Sequence, residues 1–300
     1  MSEDRSTVAL CGILRNERPY LAEWIAYHKV LGFETIILYD NGSRDGSADV
    51  LAALAACSEI THIDWPDRLG LLPQSSAYLD ALGRGTSEWL AFLDLDEFLI
   101  LHQDADVRNF LRRFPSEVSA VAINWRIYGS SNRRRYEPGL VIERFTRCSQ
   151  LSHPINLHVK SLNRRERIVH ALPHSCFLTE GHLVNELGNP IDLVDYGRSP
   201  FASHTLAQVN HYVVKSLEEC RLKLRRGKAD VPQGAPNKFR RKRRDFFRGH
   251  DLNECEVRFS EEMLLRIKRE IGRLESLLPP ELRKPRPLPS PWSPRTLLRW

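Results

Sequence analysis

The chain has 300 residues, 42% of them hydrophobic, with 44 Lys and Arg against 38 Asp and Glu, a net charge of +6 and a pI near 9.1. That composition excludes a disordered polar chain, and no apolar run reaches the ~20 residues that a membrane-crossing helix needs. Residues 1–7 lack the apolar stretch of a secretory signal, and the six scattered cysteines form no CxxC pair, so a reducing, cytoplasmic setting with free thiols is expected.

The apolar run 8–14 predicts a buried strand. The polar residues Arg15, Asn16 and Glu17 interrupt it, and Pro19 suits the first turn of a helix. Leu21, Trp24, Ile25 and His28 then recur at helical spacing, and Gly32 ends the helix. Residues 35–39 predict a second strand, which stops at the turn Asp40-Asn41-Gly42-Ser43. Asp45 or Ser47 is placed to cap a helix over 48–54. A third strand is expected at 60–65, a helix at 74–82 and a fourth strand at 89–93. Strands alternating with helices at this spacing imply βαβ units, hence an α/β fold with a mostly parallel central sheet flanked by helices.

After the fourth strand come Asp94, Asp96 and Glu97 in the stretch FLDLDEFLI. Burying a carboxylate without a partner is expensive. Alternate residues of a strand share a side, so Asp94 and Asp96 present two carboxylates together. Such a pair repels unless a cation or a proton lies between them. Hard oxygen ligands suit Mg²⁺ or Mn²⁺, which commonly bind one or two carboxylates plus substrate phosphates. The bland alternative is an acidic turn capping a helix. Parallel strands would also bring the clusters 15–17, 40–43 and 94–97 to one sheet edge, where α/β folds bind ligands.

The rest of the chain is less regular. Val107, Phe110, Leu111 and Phe114 fit a helix, and 120–125 fits a strand. Residues 126–210 read as loops and short strands. Met263, Leu264, Ile267, Ile271 and Leu274 mark a late amphipathic helix stopped by Pro279-Pro280, and 284–296 reads as a Pro-rich extended tail. The basic tract Lys238-Phe239-Arg240-Arg241-Lys242-Arg243-Arg244 supports a rival reading as a nucleic-acid-binding protein. It lacks the interleaved aromatics of a stacking platform, so no nucleic-acid partner is expected.

Two families carry D-x-D at a strand end. In haloacid-dehalogenase-like phosphatases the fifth position is Thr or Val, where this chain has Phe98, and a later G-D-x-x-x-D is absent. The second resemblance is closer. The pieces CGILRNERPYLAEWIAYHKVLGF, ILYDNGSRDGSADVL, SEWLAFLDLDEFLI and NHYVVKSLEECRLKLRRGKAD occur in order. Together they resemble nucleotide-sugar glycosyltransferases of the GT-A fold related to families 2 and 92, over about residues 8–230.

The resemblance implies a Rossmann-like GT-A domain over 1–232 and a basic, helical and Pro-rich extension over 233–300. It implies transfer of a sugar from a nucleoside-diphosphate donor, UDP by resemblance, to a saccharide or lipid-linked acceptor. The expected outcome is inversion. The basic tract and the Pro-rich tail, rather than the resemblance, suggest peripheral contact with an anionic membrane at the cytoplasmic face. Asn16, Glu17, Asp40, Asn41, Asp94 and Lys215 would bind the nucleotide-sugar. Asp94, Asp96 and Glu97 would form the catalytic motif, and Asp96, Asp94 and His211 would hold Mn²⁺ or Mg²⁺. Arg225 would join Lys215 in facing the diphosphate, and Arg226 reads better as a solvated charge. His170, His174, Trp125 and Tyr128 fall on the acceptor side or in the core. Glu180, Glu186, Asp192 and Asp195 are the candidates for the general base.

Overall fold

The structure, a computed structural model, describes residues 7–67, 70–195, 197–226 and 243–283. β1 (Val8–Leu14) is buried at every residue, as a strand covered on both faces must be. It leads to α1 (Leu21–Val30), β2 (Thr35–Asp40), α2 (Ser47–Ala56), β3 (Thr61–Asp64), α3 (Pro73–Leu82) and β4 (Trp89–Phe92). These four strands are parallel. Alternate side chains serve two cores. Val8, Leu10 and Leu14 face α1 and α2, while Ala9, Cys11 and Ile13 face Ala77, Tyr78 and Ala81 of α3.

The remaining elements are β5 (Glu97–Leu101), α4 (Val107–Leu111), β6 (Val118–Ile127), α5 (Val141–Arg144), β7 (Arg147–Cys148), β8 (Val159–Arg164), β9 (Ile168–Ala171), β10 (Cys176–Leu178), β11 (His182–Asn185), β12 (Ala207–His211), α6 (Leu217–Arg226), α7 (Arg243–His250), β13 (Cys255–Glu256) and α8 (Glu261–Leu277). The main sheet runs β3-β2-β1-β4-β8-β6-β12-β5, with β11 beside β6. β8 is antiparallel to both β4 and β6, and β5 is antiparallel to β12. The result is the mixed α/β, mostly parallel sheet expected from the strand–helix alternation.

Residues 126–210 form loops and short strands as expected, and one of these, β8, is an interior strand of the sheet. Its sequence VKSLNR hides this, because Lys160, Ser161 and Asn163 are buried with polar partners rather than by apolar character. The segment 233–300 was expected as an extension, yet its described part shares the main core. α8 lies against α1, and Ile267 and Leu274 are buried in the cluster that contains Trp24 and Tyr27. β13 pairs with β7, and Asp251 accepts from the Ser130 amide at 2.7 Å. Residues 238–242 of the basic tract and the tail 284–296 lie outside the described residues. Among the described residues no helix is long and apolar enough to cross a membrane. All six cysteines are thiols.

Candidate active site

The loops after β1 and β2 are bound to each other. The Asn16 amide donates to Ser43 Oγ at 2.8 Å, Glu17 N to Ser47 Oγ at 3.1 Å and Arg18 N to Asp45 at 3.0 Å. Asn16 returns a bond through Oδ1, which accepts from Arg44 N at 2.7 Å. Its φ of 56° is one that Asn tolerates better than most residues. Asp40 accepts from Ser43 N at 3.1 Å and so holds its own turn. Asn41 donates to Trp65 O and to Asp67, both at 2.9 Å. α2 begins behind Gly46, which has no side chain to cap it. Asp45 accepts from the Ser47 amide, the first of the helix, and from the Arg18 amide, both at 3.0 Å, so it serves a helix N-terminal donor and holds the turn at once.

Beyond these loops opens a cleft of about 290 Å³, lined among others by Glu17, Asn41, Gln74, Asp94, Asp96 and His211. Asp94 accepts from Gln74 Nε2 at 2.9 Å and from Lys160 Nζ at 3.2 Å. Glu97 lies behind the cleft, fully buried, and does not line it. Its Oε2 accepts from the Asp94 amide at 2.8 Å and pairs with Lys160 at 3.1 Å. Burial pushes the Glu97 carboxyl up, while Lys160 pulls it down. For Lys160 burial is outweighed by Asp94 and Glu97, which keep it an ammonium. Glu97 thus holds the D-x-D turn from behind through the Asp94 amide and Lys160.

β12 delivers the histidine. It sets His211 opposite Glu97 in register, and Tyr212 N donates to Asp96 O at 2.8 Å. His211 Nε2 then stands 3.6 Å from Asp96 Oδ2, and its Nδ1 stands 3.9 Å from Glu97 Oε1. Both Nδ1 and Glu97 Oε1 are buried and have no hydrogen-bond partner among the described residues. Lys223 Nζ rests on Asp96 Oδ2 and donates to Val213 O at 3.2 Å. Burial alone would raise the Asp96 carboxyl; Lys223, His211 and Lys215 outweigh it and hold it well below the usual range. Burial pushes the His211 imidazole down despite Asp96.

Asp96 and His211 supply a carboxylate and an imidazole, ligand types that a divalent cation accepts, beside the oxygen on which the Lys223 ammonium rests. Among the described residues no group of three or more His, Cys, Asp or Glu forms a protein-only cage. Mg²⁺-type ions typically complete their shell with substrate phosphate and water.

Trp125 forms one wall. Its ring stacks on His158 at 4.9 Å and meets His174 at 5.1 Å and His211 at 4.4 Å. Burial, then Lys160, pushes His174 down to about 4, so it is neutral near pH 7. Tyr128 is buried in the core, and His170 sits on β9 against Phe177.

Several expectations end elsewhere. Asn16 and Lys215 line a neighbouring cavity of about 390 Å³ rather than the cleft, and Asp40 lines neither. Glu180, Glu186, Asp192 and Asp195 are all absent from the cleft wall. Glu186 is buried against Ser203 and Thr205, and the Glu180 side chain is 72% exposed. Arg226, expected as a solvated charge, pairs with Glu17 at 2.5 Å and donates to Arg15 O at 2.7 Å. Sequence reasoning missed Gln74, Lys160 and Lys223. Gln74 and Lys160 lie outside the four motif pieces and Lys223 lies inside the last of them; only the fold brings the three to the acids.

The sequence profile of Glycosyltransferase family 92 matches residues 4–263. A glycosyltransferase family 92 protein of Oryza sativa subsp. japonica is 31% identical over 109 residues, covering 36% of this chain and 18% of the relative. One of Ricinus communis is 30% identical over 116 residues, covering 38% and 21%. The matched chain thus spans about a fifth of the length of these relatives. Among solved structures, S. aureus TarS 1–349 aligns over 92% of this chain and 82% of its own, with a TM-score of 0.41 and 11% identity. Glucosyl-3-phosphoglycerate synthase from Mycobacterium tuberculosis, solved with Mn²⁺, UDP-glucose and phosphoglyceric acid, aligns over 54% and 58% with a TM-score of 0.32 and 16% identity.

Proposed function

The chain belongs to glycosyltransferase family 92, and we propose on that premise that its cleft transfers a sugar from a nucleoside-diphosphate donor to a saccharide or lipid-linked acceptor. The observation that carries this reading is the convergence of Asp96 and His211, 3.6 Å apart, in the cleft beyond β1, β2 and β4. Mn²⁺ or Mg²⁺ held by these two residues would supply charge neutralisation for the departing diphosphate.

The chain's own groups do the rest. Glu17 and Asn41 border the nucleoside end of the cleft. Asp94, fixed in direction by Gln74 and Lys160, lines the same cleft as Asp96. Lys223 and Arg226 place cations where negative charge develops as the bond to the anomeric carbon breaks. Trp125 offers an aromatic wall on which a sugar ring can stack. Inversion at the anomeric carbon and UDP as the donor nucleotide complete the reading, both supported by the family resemblance of the motifs.

The test is a screen of nucleotide-sugars for divalent-metal-dependent hydrolysis, which needs no acceptor. At least one donor should be hydrolysed with Mn²⁺ or Mg²⁺ and left intact with EDTA. Equal hydrolysis of all donors in EDTA would remove the metal from the reading, and no hydrolysis or binding of any donor would remove the donor site.

A further inference from the structure

The cavity of about 390 Å³ adjoins the cleft, the two sharing Glu17, Val213, Lys223 and Arg226 on their walls. Glu17 pairs there with Arg226, and Lys223 with Asp96 of the cleft. Lys215 lines the cavity, only 4% exposed. Its backbone holds a φ of 52°, a left-handed conformation that is unfavourable for a residue with a Cβ. Its ammonium lies 4.3 Å from the centre of the Tyr20 ring. Among the described residues Nζ has no hydrogen-bond acceptor, and unlike the fully buried polar atoms that lack a partner it keeps access to the cavity.

The neighbouring carboxylates are already engaged. Glu17 pairs with Arg226. Glu219 takes both terminal nitrogens of Arg144, at 3.0 and 3.1 Å, and the Tyr20 hydroxyl at 2.9 Å. Asp45 accepts from the amides of Arg18 and Ser47. Arg44 adds an exposed second cation to the same lining. Pro19, Val213, Val214 and Leu222 supply apolar wall. The volume falls within the range of small-molecule pockets, about 300–1,000 Å³.

We propose that this cavity is an anion site that receives a phosphate group carried by the acceptor, bound by Lys215 and Arg44. Two cations match the double charge of a phosphate monoester, and the ammonium gains the acceptors that the protein withholds. The apolar wall packs against whatever bears the phosphate. That the phosphate belongs to an acceptor rests on the donor reading of the adjoining cleft. A phospholipid headgroup and a soluble phosphorylated sugar or polyol share this chemistry.

The test is calorimetric titration of the full chain with inorganic phosphate, before and after saturation with UDP and Mg²⁺. Phosphate should bind with an affinity that UDP changes by less than twofold. Lys215→Met should weaken it at least tenfold, and the exposed Arg44→Ala, which poses no folding risk, at least threefold. The proposal is overturned if phosphate does not bind, if UDP abolishes its binding, or if both variants bind as tightly as wild type. Glycerol phosphate and vesicles containing phosphatidic acid then separate the sources. Lys215-dependent binding of either supports the site, and Lys215-independence of both overturns it. If UDP fails to bind while phosphate still depends on Lys215, the donor reading falls and the anion site stands.

Discussion

Asp96 has Lys223 on one oxygen, His211 at 3.6 Å and Lys215 in its field. Asp96→Ala should abolish metal-dependent transfer, a loss of at least about 100-fold given what even outer-shell partners of metal ligands cost. The melting temperature should stay near wild type, because Lys223 keeps the Val213 carbonyl as a partner. His211→Ala should weaken Mn²⁺ binding in a direct titration, whereas unchanged affinity would make the histidine structural. The acids were legible in the sequence because a carboxylate pair ending an apolar run is costly unless a cation or a proton balances it. Lys160, which orients Asp94, was not, since a lysine in VKSLNR looks like a surface charge until β8 is seen inside the sheet. A second residue-scale test concerns His28, buried among Trp24, Phe33 and Phe98, with burial pushing its imidazole down to about 3. The unfolded chain takes up a proton near pH 6.5 that the folded chain refuses. The His28 contribution to stability is therefore complete above pH 6.5 and is lost as pH falls towards 3. At pH 5, His28→Phe should retain about 2 kcal/mol more of its pH 7 stability than wild type does, from 1.36 kcal/mol per pH unit, in urea denaturation.

At the scale of elements, the site depends on β12 and α6 being held in place. Arg144 and Glu219 form a buried two-nitrogen pair between α5 and α6. Glu219→Gln leaves Arg144 buried without a counter-charge and should cost about 3–5 kcal/mol in denaturant unfolding. Arg144 and Glu219 together replaced by Met and Leu should recover most of that. A second tie lies at Gly129, where an added Cβ would collide with the Leu252 carbonyl and the Asn253 side chain. Gly129→Ala should push residues 251–253 off the end of β6 and cost roughly 1–3 kcal/mol. The first four strands and their helices were readable because apolar runs alternate with turn clusters. β8 and β12 were not, because AQVNH and VKSLNR bury polar residues through hydrogen bonds. Periodicity of apolar residues cannot register that kind of burial.

At the scale of the whole molecule, the chain from 243 to 283 belongs with the rest. Ile267, Leu274 and Leu278 are buried in the main core, each worth about 1.5–3 kcal/mol. Arg273 pairs with Glu59 at 2.5 and 2.6 Å. A chain ending at residue 232 should melt roughly 10 °C or more below the full chain or fail to stay soluble. Equal melting temperatures would restore the boundary expected from the sequence. The central claim is that Asp96 and His211 hold a divalent cation against the donor's diphosphate. Electron paramagnetic resonance of Mn²⁺ addresses it directly. Adding the protein with UDP should diminish the signal of aqueous Mn²⁺, and Asp96→Ala should leave that signal in place. A signal untouched by the wild-type protein and UDP would contradict the account.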